Sequence, residues 1–186
     1  MAAGWGAIAS RIRVPMGFAF TALFLWLARP SLASMLWSLA LVLPGLWLRG
    51  YASGYVKKNA ELAVTGPYAY TRNPLYLGSM MIAFGFAAAS RSWWVAGLLV
   101  ILFAVIYVPV IRGEEGFLRG AFPAFAVYAR QVPRLLPRLT PARIATGDSE
   151  QGGFSSTLYR KHREYQAFAG AVGIYAALVM RLLWRR

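Results

Sequence analysis

Residues 66–78, GPYAYTRNPLYLG, set three tyrosines, a guanidinium and an amide beside a proline that opens an apolar run. Further along, Arg112-Gly113-Glu114-Glu115 sets a second guanidinium beside two adjacent carboxylates, at the end of another apolar run. Aromatic rings next to carboxylates suit a cationic ligand: the rings offer negative faces and the carboxylate offers charge. Guanidinium forks suit the opposite partner, a carboxylate or an anionic headgroup. Tyr76 lies about one helical turn beyond Asn73, so the two side chains can serve one site. Each group also has an ordinary reading. Tyrosines at a membrane interface form aromatic belts, and a Glu-Glu pair at a helix end is satisfied by water or by Arg112 and Arg119.

Other chemistries find little support. The chain has no cysteine, hence no thiolate nucleophile, disulfide or cysteine metal site. No HExxH, P-loop or Ser-His-Asp pattern occurs, so zinc catalysis, nucleotide hydrolysis and acyl-enzyme chemistry are not indicated, and no metal is expected. The lone His162, within YRKHRE, reads as a solvated member of a basic run.

The elements that must position these groups are apolar. Of the 186 residues 59% are hydrophobic, and the formal charge is +14. The charges cluster between long uncharged runs, a pattern of membrane proteins and not of nucleic-acid binders, which display lysine and arginine along an exposed face. A span needs about 20 apolar residues. Five stretches meet or approach this: 14–28, 32–48, 75–90, 93–111 and 166–184. The first and third are short and must borrow flanking residues. Tight connections at 29–31 and 91–92 predict two antiparallel hairpins, and Pro44 and Pro109 predict kinks. The small-rich stretch after the first apolar run resembles a signal-peptide end, but the run continues into a second span, which favours an uncleaved hairpin.

Fifteen of the 20 lysines and arginines fall on the side that holds the N-terminus and the 49–74 and 112–165 connections. That bias puts these connections in the cytoplasm. The basic tail RLLWRR dissents, unless the last helix lies in the interface. With both connections on one side, the 66–78 and 112–115 groups can converge. Residues 117–139 alternate arginines with leucines and aromatics, as expected of a segment lying along the membrane surface. Residues 147–156, GDSEQGGFSS, read as a flexible linker.

Taken together, GPYAYTRNPLYLG and EEGFLRGAFPAFAVYARQVPRLLP resemble the isoprenylcysteine carboxyl methyltransferase family and its relatives, the phospholipid N-methyltransferases. The likeness covers roughly residues 60–137. Residues 1–50 match only as generic spans, and the helix at 166–184 is an addition to the family pattern. The resemblance implies an all-α integral membrane protein of about five transmembrane helices, a single domain with 60–137 as its catalytic core. Its cytosolic pocket for S-adenosylmethionine would be formed by helix ends and the 112–140 segment. It implies a bacterial inner-membrane location with the site facing the cytoplasm. By position, Glu61, Leu62 and Ala63 would line the adenosine, Tyr68 and the Asn73-Pro74-Leu75-Tyr76 turn would cover the cofactor, and Glu114 would hold its polar groups. Arg112 would face the methyl acceptor, with Arg130 and Arg134 beside it, so that Arg112, Glu114 and Asn73 form the catalytic set.

Two positions depart from the family pattern: its R-H-P histidine is Asn73 here, and its R-V-P arginine is Gln131. Asparagine keeps a donor and an acceptor but cannot titrate. A carboxylate acceptor is already ionised at neutral pH, whereas a lipid ammonium must first lose a proton. The expected activity is therefore carboxyl O-methylation of an isoprenylcysteine-like or other lipophilic, prenylated substrate taken from the bilayer, with lipid amine N-methylation as the alternative. A sterol-reductase-like enzyme shares the helical core and would need a basic pocket for NADPH, which Arg130, Arg134 and Arg138 could supply. A non-enzymatic membrane scaffold would bind neither cofactor.

Overall fold

The computed structural model describes residues 2–57, 61–144 and 153–184. Among them the regular structure is helical throughout. Seven α-helices follow in order: α1 (Ala2–Leu27), α2 (Leu32–Ser53), α3 (Pro74–Ser90), α4 (Trp93–Ala121), α5 (Phe125–Gln131), α6 (Ser156–Lys161) and α7 (Tyr165–Trp184). A single 3-10 turn, Gly66–Ala69, precedes α3. By length and composition α2, α4 and α7 can each cross a membrane. The apolar part of α1, Val14–Leu27, and α3 are shorter, as their sequences foretell. All five expected apolar helices are thus present. Trp93, Trp184 and Trp37 leave 91%, 90% and 80% of their surface uncovered. So many open indoles would drive association in water but suit contact with lipid and its interface.

The chain packs as two compact units. The first comprises Met1–Leu43, Ile82–Gly116 and Gly170–Arg186; the second comprises Pro44–Met81 and Phe117–Ala169.

In the first unit, polar atoms appear where helices end. Ser31 and Ser34 cap α2 reciprocally, each backbone N–H donating to the other's Oγ at 3.0 and 3.1 Å. Ser34 Oγ also donates to Ala89 O at 2.9 Å, and Arg29 N donates to Ser90 O at 2.8 Å, tying the expected tight turns together. The α3–α4 turn takes Arg91 into a left-handed conformation, φ 52°, after which Ser92 caps α4. Within the unit α1 packs on the first half of α4, and Phe24 meets Phe86 edge-on. A polar pair lies between helices, Ser38 Oγ and Tyr175 Oη at 2.6 Å.

Two features expected only loosely acquire a structural basis. The kink expected at Pro109 takes the form of a widened turn at Phe103–Tyr107, where Val108 N–H reaches back five residues to Phe103 O. Proline has no N–H for the regular ladder, and a widened turn just before it redistributes the bonds. The dissenting arginines also make sense at Arg181. Its Nε donates to Ala28 O at 2.6 Å and its Nη2 to Trp26 O, so the cation closes the carbonyl end of α1, where the helix dipole favours positive charge.

Most of the expected 147–156 linker lies outside the described residues. Its end does not hang loose: Phe154 stacks on Tyr51 with centroids 5.9 Å apart, and Ser155 caps α6.

Candidate functional site

The second unit holds the 66–78 stretch, and the local sequence explains its shape. Gly66 sits at φ +57°, and a Cβ there would lie 2.5 Å from the Tyr55 ring, so glycine is required on both counts. Pro67 is the second residue of the 3-10 turn, and Pro74 starts α3 at a position where no helical N–H is missed. Asn73 O accepts from Leu77 N at 3.0 Å, closing the first turn of α3.

Residues 132–144 follow α5 with no regular structure, because Pro133, Pro137 and Pro141 recur at four-residue intervals and forbid a helix. This extended chain exchanges main-chain hydrogen bonds with the 66–73 turn in both directions. Arg72 N donates to Pro133 O, Arg138 N to Tyr70 O, and Ala142 N to Ala69 O, each at 2.9 Å. Side chains add to the seam. Thr71, 2% exposed, sends its hydroxyl to Leu135 O at 3.0 Å and Arg134 O at 3.3 Å. Asn73 Nδ2 donates to Arg134 O at 2.9 Å, and the Tyr128 hydroxyl donates to Tyr68 O at 2.8 Å. The Arg72 guanidinium donates to Ala129 O at 3.3 Å and lies 6.0 Å from the centre of the Phe125 ring. Beneath the seam is a small apolar core of Val64, Phe125, Tyr128, Val132, Ala142 and Ile144, with Leu62 and Phe122 packed against it.

Within this unit residues 68–73 are bonded to residues 129–142, whereas residues 112–115, with which 66–78 is expected to converge, belong to the first unit. The expected site residues fall as follows. Tyr68 is buried, Pro74 is fully buried, and Asn73, Leu75 and Tyr76 are half-buried. Leu62 joins the apolar core, Ala63 is half-buried beside it, and Glu61 is exposed in an ion pair with Lys57 at 3.0 Å. Arg130 and Arg134 are exposed, one at the end of α5 and one on the extended chain. Arg112 and Glu114 lie on α4 in the first unit, both exposed; the buried carboxylate there is Glu115, 5% exposed. Among the described residues no three His, Cys, Asp or Glu side chains gather to hold a metal ion.

Thr71 and Tyr128 carry much of the seam and were not singled out by the sequence. Both lie inside the quoted motifs, so a search for hydroxyls within those motifs would have found them. Outside the motifs, Arg49 was also missed. Its guanidinium is bidentate to Glu164 at 2.9 and 3.0 Å. The available signal was scarcity, since the chain has only six acidic residues and one of them adjoins an apolar helix.

The pattern described as phospholipid methyltransferase matches residues 12–124. Over 95 residues the chain is 43% identical to the cobalt-zinc-cadmium resistance protein CzcN of Cupriavidus metallidurans, a match covering 51% of this chain and 43% of that protein. Over 95 residues it is 41% identical to the nickel-cobalt-cadmium resistance protein NccN of Alcaligenes xylosoxydans xylosoxydans, covering 51% of this chain and 44% of that one. The chain thus aligns with less than half the length of these relatives. No solved structure matches it. With more than half of its residues matched, the chain belongs to the phospholipid methyltransferase family.

Proposed function

We propose that the protein is an S-adenosylmethionine-dependent methyltransferase of the membrane surface that esterifies the carboxylate of an isoprenylcysteine-like or other lipophilic acceptor. The observation carrying this reading is the seam, which bonds residues 68–73 to the arginine-bearing chain that follows α5. The residue types of that turn fit the cofactor. The rings of Tyr68 and Tyr76 offer π faces to a sulfonium, and the N-terminal end of α3 favours a carboxylate such as that of the methionine moiety. Leu62 and Ala63 would line the adenosine, with Glu61 at its edge. Glu114 is assigned to the cofactor's polar groups, and Arg112, Arg130 and Arg134 to the acceptor carboxylate.

When bound, S-adenosylmethionine would supply an electrophilic methyl on sulfur, leaving as a neutral thioether. The chain's own task is to orient the acceptor and exclude water, because a carboxylate needs no base to attack. Asn73 in place of a titratable histidine suits that task, and its amide holds the Arg134 carbonyl. The active side would face the cytoplasm of a bacterial inner membrane.

Lipid amine N-methylation is the second reading, favoured by the description of the matched family. An ammonium must be deprotonated before attack, so this reading requires a base, and Glu114 or Glu115 would have to serve. Label transfer separates the two. Purified protein in lipid nanodiscs, given S-adenosylmethionine labelled in the methyl group, is expected to label a prenylcysteine acceptor as a base-labile ester. Glu114→Ala should abolish the transfer. Base-stable label in a lipid amine would establish the second reading, and no transfer to either acceptor would refute both.

A further inference from the structure

The C-terminal segment lies beyond the family match, which ends at residue 124. Part of it runs back along the end of α2. Ser155 N donates to Gly54 O at 3.0 Å, and Phe154 packs so closely that a Cβ on Gly54 would lie 2.4 Å from its ring. Farther along, His162 Nδ1 donates to Ser53 O at 3.1 Å. Arg163 then takes a left-handed conformation, φ 53°, and Glu164 follows it.

Glu164 ends this strap on a charge pair. Its two carboxylate oxygens accept from Arg49 Nη2 at 2.9 Å and Nε at 3.0 Å, and its side chain is only 11% exposed. The remaining fork of Arg49 points elsewhere: Nη1 donates to Ser79 Oγ and lies 3.5 Å from Leu75 O, while Ser79 Oγ itself donates to Leu75 O at 2.8 Å. The approach is possible because residue 78 is glycine. A Cβ there would lie 2.7 Å from Arg49 Cγ and 2.8 Å from Gly45 O. A bidentate guanidinium has one preferred plane, so fixing two of its nitrogens on Glu164 fixes where the third can donate. The targets of that third nitrogen, Ser79 Oγ and Leu75 O, lie on the first two turns of α3, which also carry Tyr76.

We infer that the Arg49–Glu164 pair is a positioning device for the cofactor site: the C-terminal strap holds the first turn of α3, and hence Tyr76, in its binding orientation. This rests on the proposed function for its consequence but not for its mechanics. Small displacements of a binding element away from the chemistry have large effects on it.

Two readouts separate the parts. Hydrogen exchange of the amides of residues 75–80 reads the mechanics without any cofactor: Glu164→Gln and Arg49→Gln are expected to accelerate it, and the double reversal Arg49→Glu/Glu164→Arg, which keeps an ion pair but leaves no side-chain N–H at residue 49 to donate to Leu75 O and Ser79 Oγ, to leave it accelerated. Titration with S-adenosylmethionine, well below the melting temperature, reads the consequence. Each single variant is expected to bind about tenfold more weakly and to raise KM more than it lowers kcat, and the double reversal to recover neither. Unchanged exchange at 75–80 in the single variants would overturn the strap. Faster exchange with wild-type affinity and KM would reduce the pair to a purely structural link and overturn the positioning role. Wild-type protein that takes up no S-adenosylmethionine would overturn the proposed function instead, and the exchange result would still decide the mechanics.

Discussion

The two units of the molecule solve the same problem, holding apolar segments in place, by different means. In the first unit the helices meet mainly through apolar side chains, and the polar bonds described there include a reciprocal serine cap, turn carbonyls, Arg181 on the end of α1 and a Ser38–Tyr175 pair. In the second unit, irregular chain is the rule around the motif stretches, and main-chain carbonyls are bonded by side chains of Thr71, Arg72, Asn73, Tyr128 and Arg138. Irregular backbone beside a membrane must find internal partners, and residues 132–144 find them on the signature turn. The lesson is that the family motif here is first of all a set of carbonyl ligands. Its polar residues build a platform, and the cofactor chemistry proposed for it depends on that platform being rigid.

That contrast makes the second unit the more fragile to single polar changes. The largest effect is expected at Arg72→Ala, which removes a charged donor to Ala129 O and the cation above Phe125; about 2–3 kcal/mol of stability should disappear, read as a lowered melting temperature in detergent. Lysine should not rescue it, because it lacks the planar fork. Next is Thr71→Val, nearly the same in volume, which strips the hydroxyl from a buried site serving two carbonyls. About 1–2 kcal/mol is expected by the same measurement. The counterpart in the first unit, Tyr175→Phe, deletes a polar pair between helices and should cost only about 0.6 kcal/mol, the usual value for such bonds in membrane bundles. If Tyr175→Phe proved as damaging as Thr71→Val, the contrast between the units would collapse.

The smallest effect concerns pH. The Tyr55 phenol is pushed up from 10.0 to about 12, first by its hydrogen bond with Tyr51 and then by burial and the neighbouring phenol's charge. A folded-state value above the unfolded one means that the stabilisation is complete below about pH 10 and fades as pH rises toward 12. Melting temperatures across that interval should fall less steeply in Tyr55→Phe than in wild type.

Much of the fold is legible in the sequence, for physical reasons that can be named. Apolar length reports spans directly, so α2, α3, α4 and α7 begin within a residue of where the sequence puts them. Their far ends are less legible. Both α2 and α4 run past their last apolar turns, to Ser53 and Ala121, through residues that apolar length does not report. That the two motif stretches can meet is expected both from the side on which their connections fall and from resemblance to a family. The detail of their meeting is not legible at all, since the acceptors are main-chain oxygens, which every residue has. Nothing in Asn73 announces the carbonyl of Arg134, 61 residues away. The Arg49–Glu164 pair spans 115 residues and is hidden for the same reason. Glu114 drew attention as the polar ligand, and which of the two adjacent glutamates is buried depends on helix phase, which a residue pair does not reveal.

The most direct measurement is a calorimetric titration of purified wild-type protein and its Asn73→Ala variant with S-adenosylmethionine. A cofactor site built on the carbonyl-bound turn requires saturable binding by the wild type and affinity about tenfold weaker once the Asn73 amide no longer holds the 134 chain. Absence of binding by folded wild-type protein, or equal affinity in the two proteins, would contradict it.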